Sequence, residues 1–229
     1  MVASASASAA APADRQAALL AAAQVLGLPL DTTQADLLLA YMDLLQRWNK
    51  VYNLTALREP AEMLGHHLID CMAVLPPLRR WLAAAQFTSP RVLDVGSGGG
   101  LPGVVLAALQ PGWQVDCVDT VVKKVSFVRQ VAAELRLPQL QGLHSRVEVL
   151  QAPPGGYAVV TSRAFASLAD FTALTRHLLA DGGVWMAMKG KLPSDEQAAL
   201  PADVEVFHVE QLQVPGLDAQ RCLVWMRPR

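Results

Sequence analysis

An acidic residue and several glycines lie close together in the segment VLDVGSGGGLPG, which links an apolar run to a second apolar stretch. Gly98, Gly100 and Gly103 match the G-x-G-x-x-G pattern of dinucleotide-binding turns. A second register places Asp94 at the end of the apolar run, followed by the alternating glycines Gly96, Gly98 and Gly100. A pyrophosphate requires backbone N–H groups and a helix N-terminus, and the carboxylate of Asp94 would repel it.

The second register resembles the first motif of the class I S-adenosylmethionine (AdoMet) methyltransferases. A carboxylate such as Asp94 suits the cationic methionine end of AdoMet, directly or through water, and glycines allow the backbone to approach it without a Cβ. Asp119 ends the next predicted strand, where a carboxylate can accept hydrogen bonds from both ribose hydroxyls of either cofactor. Together with an antiparallel hairpin at the end of the chain, these residues favour AdoMet over a nicotinamide.

The residues that follow the fourth predicted strand limit which atom can accept the methyl group. Methylation of an amino group on adenine or cytosine usually uses an Asn/Asp-Pro-Pro-aromatic loop at this position, whereas this chain has SRAFASL. Methylation of cytosine C5 needs a cysteine nucleophile. None of Cys71, Cys117 and Cys222 is predicted at the carboxyl edge of the sheet. Methylation of guanine N7 needs neither this loop nor a cysteine nucleophile, because the N7 lone pair points out of the ring and no proton leaves.

Other polar residues are candidates for contact with substrate. Arg163 directly follows the fourth predicted strand and could hold the cofactor, an RNA phosphate or guanine O6. Lys189 ends the fifth strand and is predicted to contact an RNA backbone. His67 and Asp70 are one helical turn apart, which is more typical of a structural pair than of a metal site. Asn53 could contact a base edge or fix its own loop by a side-chain-to-backbone bond.

The elements that must position these residues fall into two parts. TTQADLLLAYMDLLQRWNK has helical spacing, with Thr33 and Asp36 as a capping-box-like start, and Pro60 begins a second helix that should end before Pro76-Pro77. From about residue 90, five strands alternate with helices, and the helix after strand four is expected to end at Asp181-Gly182-Gly183. VEVFHVEQLQV and RCLVWMR then form an antiparallel hairpin. We therefore predict a Rossmann-like α/β fold of seven strands, six parallel and one antiparallel.

This pattern predicts a disordered tail over residues 1–13, a helical N-terminal extension over 14–85 and a methyltransferase core over 86–229. The chain has 229 residues and a formal net charge of -1, so any RNA contact must come from local patches. The three cysteines form no CxxC pair, which argues against disulfides and against a metal site. We expect a cytoplasmic protein without a membrane span, because no signal peptide or long apolar run is evident.

Several segments in a fixed order resemble the glucose-inhibited division protein B family, the bacterial 16S rRNA guanine-N7 methyltransferases. The similarity extends from about residue 37 to the end and rests on RWNKVYNLTALREPAEMLGHHLIDC, VLDVGSGGGLPG, HSRVE, TSRAFASL, MKG and LQVPGLDAQRCLVWM. The resemblance implies transfer of a methyl group from AdoMet to N7 of a guanine in the rRNA of the small ribosomal subunit. An AdoMet-dependent small-molecule methyltransferase and a non-catalytic AdoMet-binding regulator are the alternatives.

The family's cofactor contacts correspond by position to Gly96, Leu101, Val147-Glu148 and Arg163, and the resemblance places Arg163 near the transferred methyl group. Val147-Glu148 would frame the adenine ring. The chain departs from the usual family pattern at three positions. His66 replaces a basic arginine, Cys71 replaces a common serine, and Gly99 replaces alanine, proline or serine, which we expect to loosen the turn.

Overall fold

The N-terminal third of the chain is helical. The computed structural model describes residues 12–163, 166–191 and 194–229, so the predicted tail lies outside the described residues as far as residue 11, and the chain is helical from Pro12. The helices are α1 (Pro12–Val25), α2 (Thr32–Tyr52), α3 (Pro60–Met63), a π-helix (Leu64–Ile69), α4 (Asp70–Met72) and α5 (Leu75–Ala84).

The start of α2 differs from the predicted one. Asp31 is the N-cap, its carboxylate accepting from the Gln34 N–H at 2.7 Å while the Gln34 side chain accepts from the Asp31 N–H at 3.2 Å. The expected box at Thr33 and Asp36 is therefore wrong by two residues. Pro60 opens α3 as predicted, and Pro76-Pro77 form the first turn of α5, where a proline's missing N–H costs no hydrogen bond.

A seven-stranded sheet forms the rest of the fold. Its order is β3-β2-β1-β4-β5-β7-β6, and β7 alone runs antiparallel to its neighbours β5 and β6, as predicted. The strands are β1 (Arg91–Val95), β2 (Gln114–Asp119), β3 (Leu140–His144), β4 (Tyr157–Arg163), β5 (Leu179–Lys189), β6 (Val204–Leu212) and β7 (Arg221–Pro228). The connecting helices are α6 (Gly103–Leu109), α7 (Val122–Glu134), α8 (Leu168–Thr175) and α9 (Ser194–Ala198).

The expected helix end at Asp181-Gly182-Gly183 is wrong, because α8 ends at Thr175 and these residues lie inside β5. Close packing requires a residue without a side chain at Gly183. A Cβ there would lie 2.7 Å from the Tyr157 carbonyl oxygen, so the backbones of β4 and β5 meet more closely than a side chain allows. The pairing of the two strands also shifts register between Tyr157 and Val159.

Each face of the sheet is covered by its own apolar cluster. On one face, α6 and α7 share a continuous buried cluster with the helical extension, including Leu38 and Leu45 of α2. On the other face, Phe171 of α8 packs with Trp185 of β5. Because the extension shares its core with α6, it holds α2 directly over the segment between β1 and α6. Within the described ranges, no helix combines the length and apolar character needed to cross a membrane.

Candidate functional site

The glycine loop between β1 and α6 turns across the carboxyl end of β2. Gly96 and Gly98 have φ values of 65° and 57°, a left-handed conformation that favours glycine. The N–H of Gly96 donates to the Val118 carbonyl at 2.9 Å, and the N–H of Gly98 donates to the Asp119 carboxylate at 3.1 Å. The loop backbone therefore follows the sheet edge with no side chain between it and a ligand.

Two cavities meet at Gly96, which lines both. We name them the β2 cavity and the β4 cavity after the strand end that each one contains. The β2 cavity measures about 390 Å³ and is lined by Val95, Gly96, Val118, Asp119, Thr120, Val121, Lys124, Ser145, Arg146, Val147, Glu148 and Leu174. The β4 cavity measures about 470 Å³ and is lined by Leu45, Leu54, Thr55, His66, His67, Asp70, Gly96, Ser97, Gly98, Gly99, Leu101, Arg163, Met188, Lys189, Gly190 and Arg221.

In the β2 cavity, Asp119 is held rigidly by the backbone around it. Its Oδ2 accepts from the Gly98 N–H, its Oδ1 accepts from the Val121 N–H at 2.9 Å, and Lys124 Nζ lies 3.6 Å away. Opposite, Val147 is buried and Glu148 pairs with Arg146 at 2.7 Å. The backbone amide of Glu148 and the Arg146 guanidinium lower the pKa of the Glu148 carboxyl. The fixed carboxylate of Asp119 thus faces a wall formed by the apolar Val147 and the Arg146–Glu148 ion pair.

Asp94 and Gly100 lie behind the cavities and line neither of them. Asp94 is fully buried, its Oδ2 accepts from the Gly103 N–H at 2.9 Å, and its Oδ1 has no partner. Burial raises the pKa of this carboxyl to about 7. A Cβ at Gly100 would lie 2.5 Å from Val104 Cγ2. Both residues therefore brace the glycine loop, and their part in shaping the methionine end of AdoMet, with Asp94 acting directly or through water, stays a prediction.

In the β4 cavity, Arg163 is anchored on several sides. Its Nη1 donates to the His66 carbonyl oxygen at 2.9 Å and lies 3.6 Å from Asp70 Oδ2. Asp70 is almost fully buried, and its other oxygen accepts from Arg221 Nε at 2.9 Å. One carboxylate therefore lies between two guanidinium groups, which leaves this wall with excess positive charge.

His67 is part of the same cluster and is neutral. Burial and the nearby Arg163 cation lower its pKa to about 4. Its Nδ1 lies 3.4 Å from Arg163 Nη2, and its Nε2 lies 2.7 Å from Thr55 Oγ1. Because a guanidinium can only donate, Nδ1 accepts, so Nε2 carries the proton and donates to Thr55. Across the described ranges, no group of three or more His, Cys, Asp or Glu residues could hold a metal ion.

The remaining candidates are placed differently. Lys189 lines the β4 cavity, but its Nζ contacts both carboxylate oxygens of Glu196, at 3.0 and 2.8 Å. Leu101 is buried on the same wall. Asn53 lies outside both cavities as the left-handed C-cap of α2, and its side chain accepts from Arg58 at 3.2 Å. The charge of Lys189 is thus compensated in this structure.

Two residues of this site were not identified from the sequence. Arg221 comes from the start of β7, and although it lies in the segment LQVPGLDAQRCLVWM that carries the family resemblance, no role is predicted for it from the sequence. Tyr41 has only helical periodicity, yet its hydroxyl donates to the Gly99 carbonyl oxygen at 2.6 Å. A Cβ at Gly99 would lie 2.9 Å from Leu45 Cδ1, so α2 presses on the turn at this position. The absence of a side chain at Gly99 therefore lets α2 pack against the turn, and the Tyr41 hydrogen bond fixes the turn. The sequence leads us to expect a looser turn at Gly99, and the structure shows the opposite.

Comparison with known proteins decides the family. The model described as rRNA small subunit methyltransferase G (GidB) matches residues 34–224. The chain belongs to this family. A ribosomal RNA small subunit methyltransferase G from Leptothrix cholodnii is 65% identical over 92% of this chain and 94% of its own length. One from an Acidovorax species is 58% identical over 92% of this chain and 94% of its own.

Solved structures place the fold among the class I AdoMet methyltransferases. A SAM-dependent methyltransferase from Leishmania major superposes with a TM-score of 0.57 at 15% identity, covering 82% of each chain. TrmN from Thermus thermophilus superposes with a TM-score of 0.51 at 17% identity, covering 72% of this chain and 53% of its own. At these identities the likeness concerns the fold, which is the one predicted from the sequence.

AdoMet, the cofactor of this fold class, suits the residues that line the cavities. Val118, Val147 and Leu174 give the β2 cavity an apolar surface for an adenine ring, and Asp119 offers carboxylate oxygens for ribose hydroxyls. Gly96 brings bare backbone to the junction of the cavities, where the methionine part would pass from one to the other. When bound, AdoMet supplies an electrophilic methyl carbon on a sulfonium.

Proposed function

We propose that the chain transfers a methyl group from AdoMet to N7 of a guanine in 16S rRNA of the small ribosomal subunit. The observation that carries this proposal is the β4 cavity, which has space for a base next to the glycine loop. Among the described residues it is lined by no cysteine, and its one carboxylate, Asp70, is ion-paired to Arg163 and Arg221. Of its two histidines, His66 and His67, His67 has a pKa lowered to about 4 and accepts from Arg163, which makes it a poor proton acceptor.

Guanine N7 matches such a cavity. Its lone pair would take the methyl group that AdoMet supplies, the bonding electrons of the carbon–sulfur bond would stay on sulfur, and the methylated base would keep the positive charge, so no base catalyst is needed. Positioning then supplies the rate enhancement, up to roughly 7–11 kcal/mol for well-aligned reactants. Flipping the target guanine out of its stack in folded rRNA would cost a few kcal/mol, which contacts in this cavity would offset.

We propose separate roles for the two parts of the chain. The core (86–229) binds AdoMet, with Gly96, Gly98 and Leu101 at its methionine part, Asp119 at the ribose and Val147-Glu148 at the adenine. Asp94 and Gly100 keep the loop in shape. The helical extension (14–85) closes the acceptor side.

Arg163, beside the transferred methyl, is the proposed catalytic residue and would donate to guanine O6 and leave N7 free. Asp70 limits the cationic charge that Arg163 would otherwise bring near the methylated base. His67 holds Arg163 from the extension. Lys189 would contact an RNA phosphate after release from Glu196. Asn53, outside the cavities, is the least supported substrate contact of the set. The proposed location is the cytoplasm.

The test is transfer of labelled methyl from AdoMet to small subunits that lack the modification, with naked 16S rRNA assayed in parallel. The product is mapped by chain cleavage at N7-methylguanine. Label at a single guanine supports the proposal. Tight AdoMet binding without label on either RNA substrate overturns it, and then favours a small-molecule methyltransferase or a non-catalytic regulator.

A further inference from the structure

An exposed apolar surface lies where α2 ends and α7 begins. We name it the α2–α7 patch and define it by Val51, Tyr52, Val121, Val122 and Lys123. The exposed fractions are 69% for Val51, 40% for Tyr52, 43% for Val121 and 57% for Val122, high values for large apolar side chains. Lys123 Nζ lies 5.1 Å from the centre of the Tyr52 ring and joins the two helix ends.

The Tyr52 ring is supported from below. The Trp48 ring lies 5.0 Å from it, and Trp48 in turn lies 5.4 Å from Phe127 of α7, between ring centres. The ring therefore stands on a packed aromatic base, and the exposed Lys123 lies over it. A flexible surface lysine can leave this position without breaking any buried contact.

The cations of this surface are not compensated by acids. Lys50 and Lys123 are exposed, and within residues 12–163, 166–191 and 194–229 neither has a carboxylate within 4.0 Å, unlike Arg47 and Lys124 nearby. At the opposite edge of the sheet, Arg227 lies over a ring at the same distance of 5.1 Å but is bound to a carboxylate at 2.8 Å. Uncompensated cations beside an aromatic ring are complementary to a polyanion of stacked bases.

The α2–α7 patch is also connected to both cavities. Val121 lines the β2 cavity, and Leu54, two residues after Tyr52, lines the β4 cavity. An RNA whose guanine enters the β4 cavity must continue over the adjoining surface in at least one direction.

We propose that the α2–α7 patch binds a single-stranded nucleotide next to the target guanine, its base on the Tyr52 ring and its phosphate at Lys123. This inference rests on the proposed rRNA substrate. Aromatic rings with nearby cations are the usual platform for unpaired nucleotides, because every base has a face to stack. Lys123 leaves the ring as the base takes its place and moves to the phosphate, with Lys50 beside it.

The test uses the full chain with Tyr52→Leu, Tyr52→Phe and Lys123→Gln, and Arg227→Gln as the matched cation–ring control. Tyr52→Leu should raise the KM for unmodified small subunits roughly tenfold, whereas Tyr52→Phe, which keeps the ring, should stay within about twofold. Lys123→Gln should lower the slope of log affinity against log salt by about one. None of these variants should change the kcat or the Kd for AdoMet, and Arg227→Gln should leave the KM and the salt dependence unchanged as well.

Equal KM values for Tyr52→Leu and Tyr52→Phe would overturn the inference. So would weaker binding to subunits with unchanged binding to naked 16S rRNA, since the patch would then contact a ribosomal protein. If the unchanged chain transfers no methyl group, the proposed function fails, and the affinity of the same variants for naked rRNA still decides whether the patch binds RNA.

Discussion

The β2 cavity and the β4 cavity share Gly96 but are assembled in different ways. The β2 cavity uses residues that directly follow β1, β2 and β3, and its key carboxylate, Asp119, is fixed by backbone N–H groups of neighbouring loops. The β4 cavity instead joins the helical extension to the far end of the chain, with Asp70 between Arg163 and Arg221. The first is a local product of strand ends, and the second depends on side-chain charges brought together by tertiary packing.

Asp70→Asn is expected to have the largest effect, and to impair the β4 cavity while leaving the β2 cavity nearly unchanged. Removing the charge leaves two half-buried guanidinium groups without their carboxylate, which we expect to lower the free energy of unfolding by about 3 kcal/mol. Misplacement of Arg163 should reduce methyl transfer roughly 100-fold. The Kd for AdoMet should change less than about threefold. Chemical denaturation, kcat and calorimetric AdoMet titration measure these quantities.

Asp203→Asn is the matched control, because Asp203 pairs with Arg176 at 2.8 Å on an exposed surface. Surface pairs contribute about 0–1 kcal/mol, so stability and activity should barely change. If Asp70→Asn weakens AdoMet binding as much as it weakens transfer, the two cavities are not independent.

Asp119→Ala should show the reverse pattern. Loss of the hydrogen bonds that the ribose hydroxyls would donate to this carboxylate should raise the Kd for AdoMet roughly 10- to 100-fold, while the KM for the small subunit stays close to that of the unchanged chain. Glu205→Ala removes another ion-paired carboxylate, bound to Arg227 at 2.8 Å and far from either cavity, and should leave the Kd unchanged. Undiminished AdoMet affinity in Asp119→Ala would rule out the proposed ribose contact.

Gly103→Ala tests the element on which both cavities depend. The added Cβ would lie 3.0 Å from Asp94 Oδ2 and collide with Cys117 Sγ, so the start of α6 must shift. We expect a loss of about 1–3 kcal/mol in unfolding free energy, with both AdoMet and RNA affinity reduced. Gly112→Ala is the control, since a Cβ there meets nothing within 4 Å. A normal melting temperature for Gly103→Ala would contradict the close packing described above.

Two opposite effects are expected in the dependence of stability on pH. The pKa of Asp94 is raised to about 7 in the fold, so its contribution to stability is present at low pH and is lost as pH rises from about 4 to 7. The pKa of His67 is lowered to about 4, so its contribution is present above its ordinary pKa of 6.5 and is lost as pH falls towards 4.

Unfolding curves of Asp94→Asn and His67→Gln across this pH range should therefore diverge from the unchanged chain in opposite directions. Relative to Asp94→Asn, the unchanged chain should lose stability as pH rises. Relative to His67→Gln, it should gain stability as pH rises. Parallel curves for all three proteins would show that neither group changes its protonation on folding.

The difference between the cavities also explains what could be predicted from the sequence. The number of strands, the antiparallel strand at the end of the chain and the positions of Gly96, Asp119 and Arg163 follow from periodicity and from the rule that ligands bind at the carboxyl edge of parallel strands. Arg221 could not be found in this way, since its partner Asp70 is 151 residues distant in the chain and only packing brings them together.

Local errors have equally physical causes. The cap of α2 was misplaced because Asp31, Thr32 and Thr33 are all good N-cap residues, and only the reciprocal bond with Gln34 selects Asp31. Gly182 and Gly183 suggest the end of a helix, whereas both lie in β5, where Gly182 has a positive φ of 70° and the close approach of β4 requires a small residue at Gly183. Asp94 is a different case: its role at the methionine end of AdoMet stays a prediction, and the structure places it fully buried behind the glycine loop.

The π-helix Leu64–Ile69 has a consequence for how this site can vary among relatives. It presents the main-chain oxygen of His66 to Arg163, at 2.9 Å from Nη1. A main-chain oxygen is present whatever the side chain, so no single substitution at position 66 deletes this anchor. The histidine at this position is therefore compatible with an intact Arg163. The anchor of Arg163 depends on the wide helical turn, which leaves the side chain at position 66 available to the cavity that it lines.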